Sequence, residues 1–456
     1  MRGHTMRSST TTSPAVPGEP TAATGPLSWN QVELLRFQRS APDSPMWNLH
    51  KAWRINGPLD VDVLQRSVAM IFERHHILRT TYREDLQVVG AVPDACCRVV
   101  PVPGDTAAER EQRAQEICQA EAAHAFDLTR GPVIRVVLLE LAADDHMLAV
   151  TIHHIATDGR SITLFWDELS VSYGALVTGA EPRLPPVSRQ YVDHALAQRR
   201  LTATTEHDLP AWSPRLLEVA RKVEATRRDS FAADLHIWAV PAPLYAAVRD
   251  FADRADSTVP EVLLTGMLMA VAHRDGIAQP AVVQPMLDRH DSAYGNTMGY
   301  FTNRALVSPP YEGTDTVLEL HAKVRESLRL AEASKDIPHE RVLEAVVPRR
   351  DATSHPLTQY QFQFVDASFT PLELDGTQTS LFSPGLPYVR AFDVETTVVE
   401  DQQTGGLAGY SLFAPDRRER ADVARIFQDT VHGVSSLVTT PELAVRDIDF
   451  DADTGH

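Results

Sequence analysis

Two apolar periods alternate along this chain. Val61, Leu64, Val68 and Ile71 recur at helical spacing and share one face, and Asp60 is placed to cap the first turn of that helix. Residues 109–125 predict a second helix. Between and after these segments come short apolar runs, Trp53 to Asn56, Val133 to Leu141 and Met147 to Ile152, which predict strands, the last of them buried. That run gives way abruptly to a helix predicted over 161–173. Helices alternating with hydrophobic strands predict an α/β layered lobe.

The pattern is interrupted at Leu184-Pro185-Pro186 and again in the charged stretch 199–210. It then resumes with a strand over 235–240, helices over 243–254 and 259–273, and strands over 281–286, 360–365, 392–399 and 406–412. An amphipathic helix over 421–438 closes the chain. At 456 residues the chain is too long for one ordinary core, so two lobes are expected. The division read from these breaks is a disordered tail over 1–24, an N-terminal lobe over 25–188, a crossing segment over 189–210 and a C-terminal lobe over 211–456. The tail is rich in Ser, Thr, Pro and Ala and lacks the apolar centre of a signal peptide.

Composition narrows the classes of function. A hydrophobic fraction of 43% with 23% charged residues is ordinary for a soluble globular protein. No apolar run approaches the ~18 residues of a membrane helix. The net charge of −18 argues against nucleic acid, whose phosphates call for a basic face. Three cysteines, Cys96, Cys97 and Cys118, form neither a disulfide framework nor a zinc pattern, which points to a reducing cytoplasm.

The candidate chemistry is concentrated between the Met147 strand and the next helix, in His153-His154-Ile155-Ala156-Thr157-Asp158-Gly159. A neutral imidazole is the side chain best suited to move a proton near pH 7. Neighbouring residues on a strand point to opposite faces. His153 is therefore expected to hold the structure, and a shared metal site with His154 is not expected. Gly159 is expected to supply the backbone freedom of a strand-to-helix turn.

This turn matches the HHxxxDG signature of condensation domains from nonribosomal peptide synthetases. Ser28, Gln31 and Leu34 resemble that family's SxAQxRLW motif, with Asn30 and Glu33 in place of its Ala and Arg. Arg74-His75-His76-Ile77-Leu78-Arg79-Thr80 resembles RHxxLRT, and Phe126 to Pro132 resembles FDLxxGP. Tyr191, Asp193 and Ala195 resemble YxDFAxW, with His194 in place of Phe. Met298 to Asn303 resembles IGxFVN, Asp336 to Glu340 resembles DxPFE with His339 at its Phe, and Arg350, Asp351, Pro356 and Leu357 keep the ends of RDxSRNPL. The motifs stand in the family's order from Leu27 to Phe450, which suggests a free-standing enzyme.

The resemblance implies two chloramphenicol-acetyltransferase-like lobes in a V-shaped pseudo-dimer, with a central tunnel that has the motif turn at its midpoint. It implies an acyltransferase of natural-product biosynthesis acting as a monomer. An acyl or aminoacyl thioester on the phosphopantetheine arm of a carrier protein would be the donor, and an amine or hydroxyl the acceptor, giving an amide or an ester. His154 would face the tunnel as a base or a positioning group. Asp158 would form a partly buried bidentate salt bridge with Arg289, and Gly159 could offer an amide near the thioester carbonyl. Asn303 and Tyr191 fall at tunnel-adjacent or packing positions, and Arg79 and Gln359 at supporting ones. Neither a bound metal nor a nucleotide is implied. Three other readings stay open: a coenzyme A-dependent acyltransferase, an epimerisation domain, and a non-catalytic recruitment module, which usually lacks the second histidine.

Overall fold

The computed structural model describes residues 24–204, 231–287, 289, 292–346, 359–365, 371–386, 388–389 and 391–451. Residues 1–23 of the expected tail over 1–24, the end of the crossing segment with the start of the second lobe (205–230), and the Arg350 to Leu357 motif lie outside them, while Thr24 opens a strand.

In the N-terminal half the described helices are α1 (Trp29–Ser40), α2 (Val61–Arg74), α3 (Ala107–Ala123), α4 (Gly159–Val177) and α5 (Tyr191–Thr204). The strands are β1 (Thr24–Pro26), β2 (Asn48–Asn56), β3 (Thr80–Arg83), β4 (Leu86–Val89), β5 (Arg98–Pro101), β6 (Ile134–Ala142) and β7 (Asp145–His153). The helix starts follow local chemistry. Asp60 accepts from the Val63 amide at 2.9 Å, as its position predicts. Ser28 and Gln31 form a reciprocal capping box, which gives two residues of the first motif a structural role.

The second half contributes α6 (Ala242–Arg254), α7 (Val259–Asp275), α8 (Val317–Ala333), α9 (His339–Val346) and α10 (Arg420–Thr439). Its strands are β8 (Asp234–Val240), β9 (Val282–Leu287), β10 (Thr302–Val307), β11 (Tyr360–Val365), β12 (Gln378–Phe382), β13 (Val394–Asp401) and β14 (Gly406–Phe413). Six of these strands form one sheet in the order β10-β9-β11-β13-β14-β8. The seventh, β12, leaves its own half and pairs antiparallel with β2, extending the other large sheet to the order β12-β2-β7-β6-β5.

Each half buries its own apolar interior, one around Leu64, Val68, Phe165 and Trp166, the other around Leu263, Met267, Phe362 and Phe427. The first interior also takes in Tyr294, Met298, Tyr300, Phe301, Leu372 and Leu374 from the second half. The lobes are therefore interleaved. The crossing segment is largely the helix α5, and its Gln198 accepts from the Trp29 amide at 2.8 Å. No single helix among the described residues is long and apolar enough to cross a membrane.

Candidate active site

Strand β7 ends at His153, and a single 3-10 turn over His154–Ala156 carries the chain to α4. The two imidazoles part company there. His153 is buried, its Nδ1 accepts from the Ile155 amide at 3.0 Å, and its Nε2 therefore carries the proton, 3.4 Å from Gln38 Oε1. The edge of Phe126 packs on it at 6.0 Å between centroids. Burial pushes its pKa down to about 3, so this ring stays neutral.

His154 adopts the opposite tautomer. Its Nδ1 lies 2.8 Å from the Thr157 carbonyl, which can only accept, so Nδ1 carries the proton and Nε2 presents its lone pair. Nε2 has no hydrogen-bond partner among the described residues, and His154 is half-buried, not sealed. Trp47 and Tyr300 stand edge-on against the ring at 5.9 and 4.8 Å. Burial lowers the pKa of this imidazole, the Thr157 carbonyl and Asp158 pull it back, and the Arg304 cation lowers it further.

Asp158 caps α4 and is fully buried. Its Oδ1 accepts from the Ser161 amide at 2.8 Å, and its Oδ2 from the Phe301 amide at 3.1 Å. Arg289 completes the set, with Nη2 at 3.0 Å from Oδ1 and 3.3 Å from Oδ2. The expected salt bridge is thus present without the expected fork-to-fork geometry. One nitrogen serves both oxygens, because Nη1 donates instead to the carbonyls of Tyr294 and Thr297 at 2.8 and 2.7 Å. Ser161, which the sequence reading missed, ties the halves together. Its hydroxyl accepts from Arg289 Nη2 at 2.8 Å and from the Gly299 amide at 3.0 Å. The signal was available, since Ser161 falls at the third helical position after an Asp cap.

Gly159 corrects an expectation. Its φ is not in the left-handed region, and a Cβ built there meets nothing within 4 Å. The turn does not need its flexibility; what it leaves is open space beside the first turn of α4. Gly299 is where the fold demands glycine, because a Cβ would come within 2.0 Å of the Tyr191 ring.

Tyr191 and Asn303 are corrected as well. Tyr191 is packed inside, its hydroxyl donating to the Tyr300 carbonyl at 2.7 Å and lying 2.9 Å from Ser28 Oγ. The amide of Asn303 is consumed in holding the start of α9. Its Nδ2 donates to Lys335 and Ile337 carbonyls at 2.8 and 3.0 Å, and its Oδ1 accepts from the His339 amide at 3.0 Å. Neither side chain is available to a substrate. Arg79 braces the end of α2 through the Phe72 carbonyl at 3.1 Å. Gln359 is half-buried just before β11, its carbonyl accepting from the Val394 amide at 2.9 Å.

Such a turn locks one imidazole into the interior, leaves the next with an unpartnered ring nitrogen and spends its acid on architecture. The condensation-domain family model matches residues 22–455, and the chain belongs to that family. It is 29% identical over 82% of its length to a linear gramicidin synthase polypeptide of Brevibacillus parabrevis, and 30% identical over 87% to PF 1022-synthetase of Rosellinia sp.. It covers only 5% and 13% of those two proteins. Among solved structures, the X-domain in complex with OxyB from teicoplanin biosynthesis superposes with a TM-score of 0.80 at 21% identity, covering 97% of this chain and 99% of that one. The mixed α/β fold expected from the motifs is therefore the fold observed.

Proposed function

We propose that this chain transfers an acyl or aminoacyl group from the phosphopantetheine thioester of a carrier protein to an amine or hydroxyl, forming an amide or an ester. The observation that carries the reading is the tautomer of His154. A Nδ1–H fixed on the Thr157 carbonyl leaves Nε2 of a half-buried ring as an unpartnered proton acceptor.

In this reaction the acceptor nitrogen or oxygen attacks the thioester carbonyl while His154 Nε2 takes its proton. The carbonyl oxygen gains the negative charge, which the free amides of a helix N-terminus such as that of α4 are suited to stabilise. Collapse re-forms the carbonyl, breaks the carbon–sulfur bond and returns the proton to the departing thiolate. An alcohol depends on the base more than an amine does, since its own pKa is far higher. The pantetheine arm enters as substrate. The three buried, unpaired thiols of Cys96, Cys97 and Cys118 support a reducing, cytoplasmic setting.

A recruitment role is the second reading, and the likeness to the X-domain solved with OxyB favours it. Turnover separates the two. A panel of aminoacyl groups loaded on a carrier protein is offered with small amines and alcohols, and in parallel on coenzyme A, while product and free thiol are followed. Product from the carrier-loaded donor alone supports the proposal; product from coenzyme A alone replaces its donor. His154→Ala should lower turnover by roughly 10²- to 10⁴-fold in a folded protein. Absence of product in every arm would return the recruitment reading, whereas full turnover without the imidazole would overturn the role of His154 as base.

A further inference from the structure

A second buried ion pair crosses the junction between the halves, and the reaction above makes no use of it. Glu33 on α1 meets Arg304 on β10, each side chain only 9% exposed. One turn earlier on α1, Asn30 donates from Nδ2 to the Thr302 carbonyl at 2.8 Å, so the helix grips the start of β10 twice. Glu33 and Asn30 are the two residues at which the first motif departs from its family pattern. Their departures face the same strand.

The guanidinium of Arg304 does more than pair. Its Nη2 donates to Tyr300 Oη at 3.4 Å, and its carbon lies 6.0 Å from the Trp47 ring and 5.8 Å from the Phe392 ring. Trp47 and Tyr300 are the two rings that stand against His154. Stability alone does not explain such a pair, since apolar residues of similar volume often serve as well in a packed interior. We infer that Arg304, anchored by Glu33, is a positioning residue that fixes both aromatic walls around His154.

The inference rests on the reading of His154 as proton acceptor. The groups that act on the ring come from several elements. Asp158, with Arg289 bound to it, faces it from the cap of α4; Tyr300 lies on the loop before β10; His153 is its neighbour in the chain. Arg304 faces it from β10, and is itself under the influence of Glu33 on α1 and Glu395 on β13. Asp158 favours the imidazolium and Arg304 opposes it.

Ring-nitrogen NMR of the full-length protein follows His154 without any substrate, its signal assigned by loss in His154→Ala. Arg304→Gln removes the cation and leaves the carboxylate, so the titration midpoint should rise. Glu33→Gln leaves the cation without its main counter-charge, so the midpoint should fall. Arg304→Lys keeps the charge but loses the planar fork; it should leave the midpoint in place and lower kcat by up to about 100-fold with KM little changed. This last variant carries the test should either charge-removing variant fail to fold. Midpoints that move together, midpoints that do not move, or a lysine variant with native kcat each overturn the inference. Full turnover in His154→Ala would instead overturn the base reading and leave the midpoints as stated.

Discussion

Arg289 and Arg304 both come from the C-terminal half, and both end on a carboxylate of the N-terminal half within reach of the same turn. At the Asp158 joint the carboxylate is saturated, with the Ser161 and Phe301 amides and Arg289 sharing its oxygens. Both Nη nitrogens of the guanidinium are bonded over the face of Phe301 at 4.1 Å, while its Nε has no partner among the described residues. At the Glu33 joint the arginine keeps part of its reach for aromatic edges. The first joint is a fixed point, a buried cap shared by a helix, a loop and a strand end. The second leaves its charge where a neighbouring imidazole responds to it. Similar ion-pair chemistry thus closes a helix cap in one place and braces two aromatic rings in the other, while Asp158 raises the His154 pKa and Arg304 lowers it.

The sharpest way to break this contrast is to remove the saturated carboxylate. Asp158→Ala strands Arg289, the Ser161 amide and the Phe301 amide in the interior together. We expect a loss of ~3–5 kcal/mol in denaturant unfolding, with turnover falling alongside it. Asp158→Asn keeps the volume and one oxygen and should fall between the two. A folded Asp158→Asn protein with native activity would show that the joint does not organise the turn. A loss at Glu33→Ala as large as that at Asp158→Ala would erase the distinction between the joints.

Acid probes the buried imidazoles around and beyond the two joints. His153 is pushed down to about 3, and His50 and His321 to about 4, in each case first by burial. A histidine with a depressed folded pKa stabilises the native state fully above the unfolded value near 6.5. That contribution is lost as pH falls toward the folded value, because the unfolded chain binds the proton first. Between pH 7 and pH 5 each of these rings should cost about 2 kcal/mol. Chemical denaturation at the two pH values measures it, and His153→Gln should flatten the dependence by about one ring's share. A chain equally stable at both would mean that these imidazoles are not held neutral.

Much of this was legible in the sequence. The helical face of Val61, Leu64, Val68 and Ile71, the strand before His153 and the pairing of Asp158 with Arg289 all follow from periodicity or from motif position. Opposite fates for the two histidines were expected from strand alternation, but His154 lies past the end of β7 in a 3-10 turn, so it is the break in the strand that parts them. What stayed hidden is long-range. Nothing local marks Tyr191 as the ring that fills the space beside Gly299, or Asn303 as a bracket for α9. The migration of β12 into the other half's sheet is a pairing that periodicity cannot register. Gly159 misled for a different reason: a glycine in a turn suggests conformational need, whereas here the absent side chain leaves space. Asn30 and Glu33 read as defects in a motif until β10 is set opposite them.

Asn30 gives the finest test of the contrast, because it grips β10 without carrying charge. Its hydrogen bond to the Thr302 carbonyl is a single neutral one, so Asn30→Ala should cost only about 1 kcal/mol in unfolding. If the second joint tunes through the Arg304 charge, the His154 midpoint should stay where it is in this variant, since no charge has been added or removed. If α1 instead acts simply by clamping the strand, loosening one of its two grips should disturb the imidazole as much as Glu33→Gln does. Measuring the midpoint in both variants therefore separates electrostatic tuning from mechanical support, at a position where the stability change is too small to confuse them.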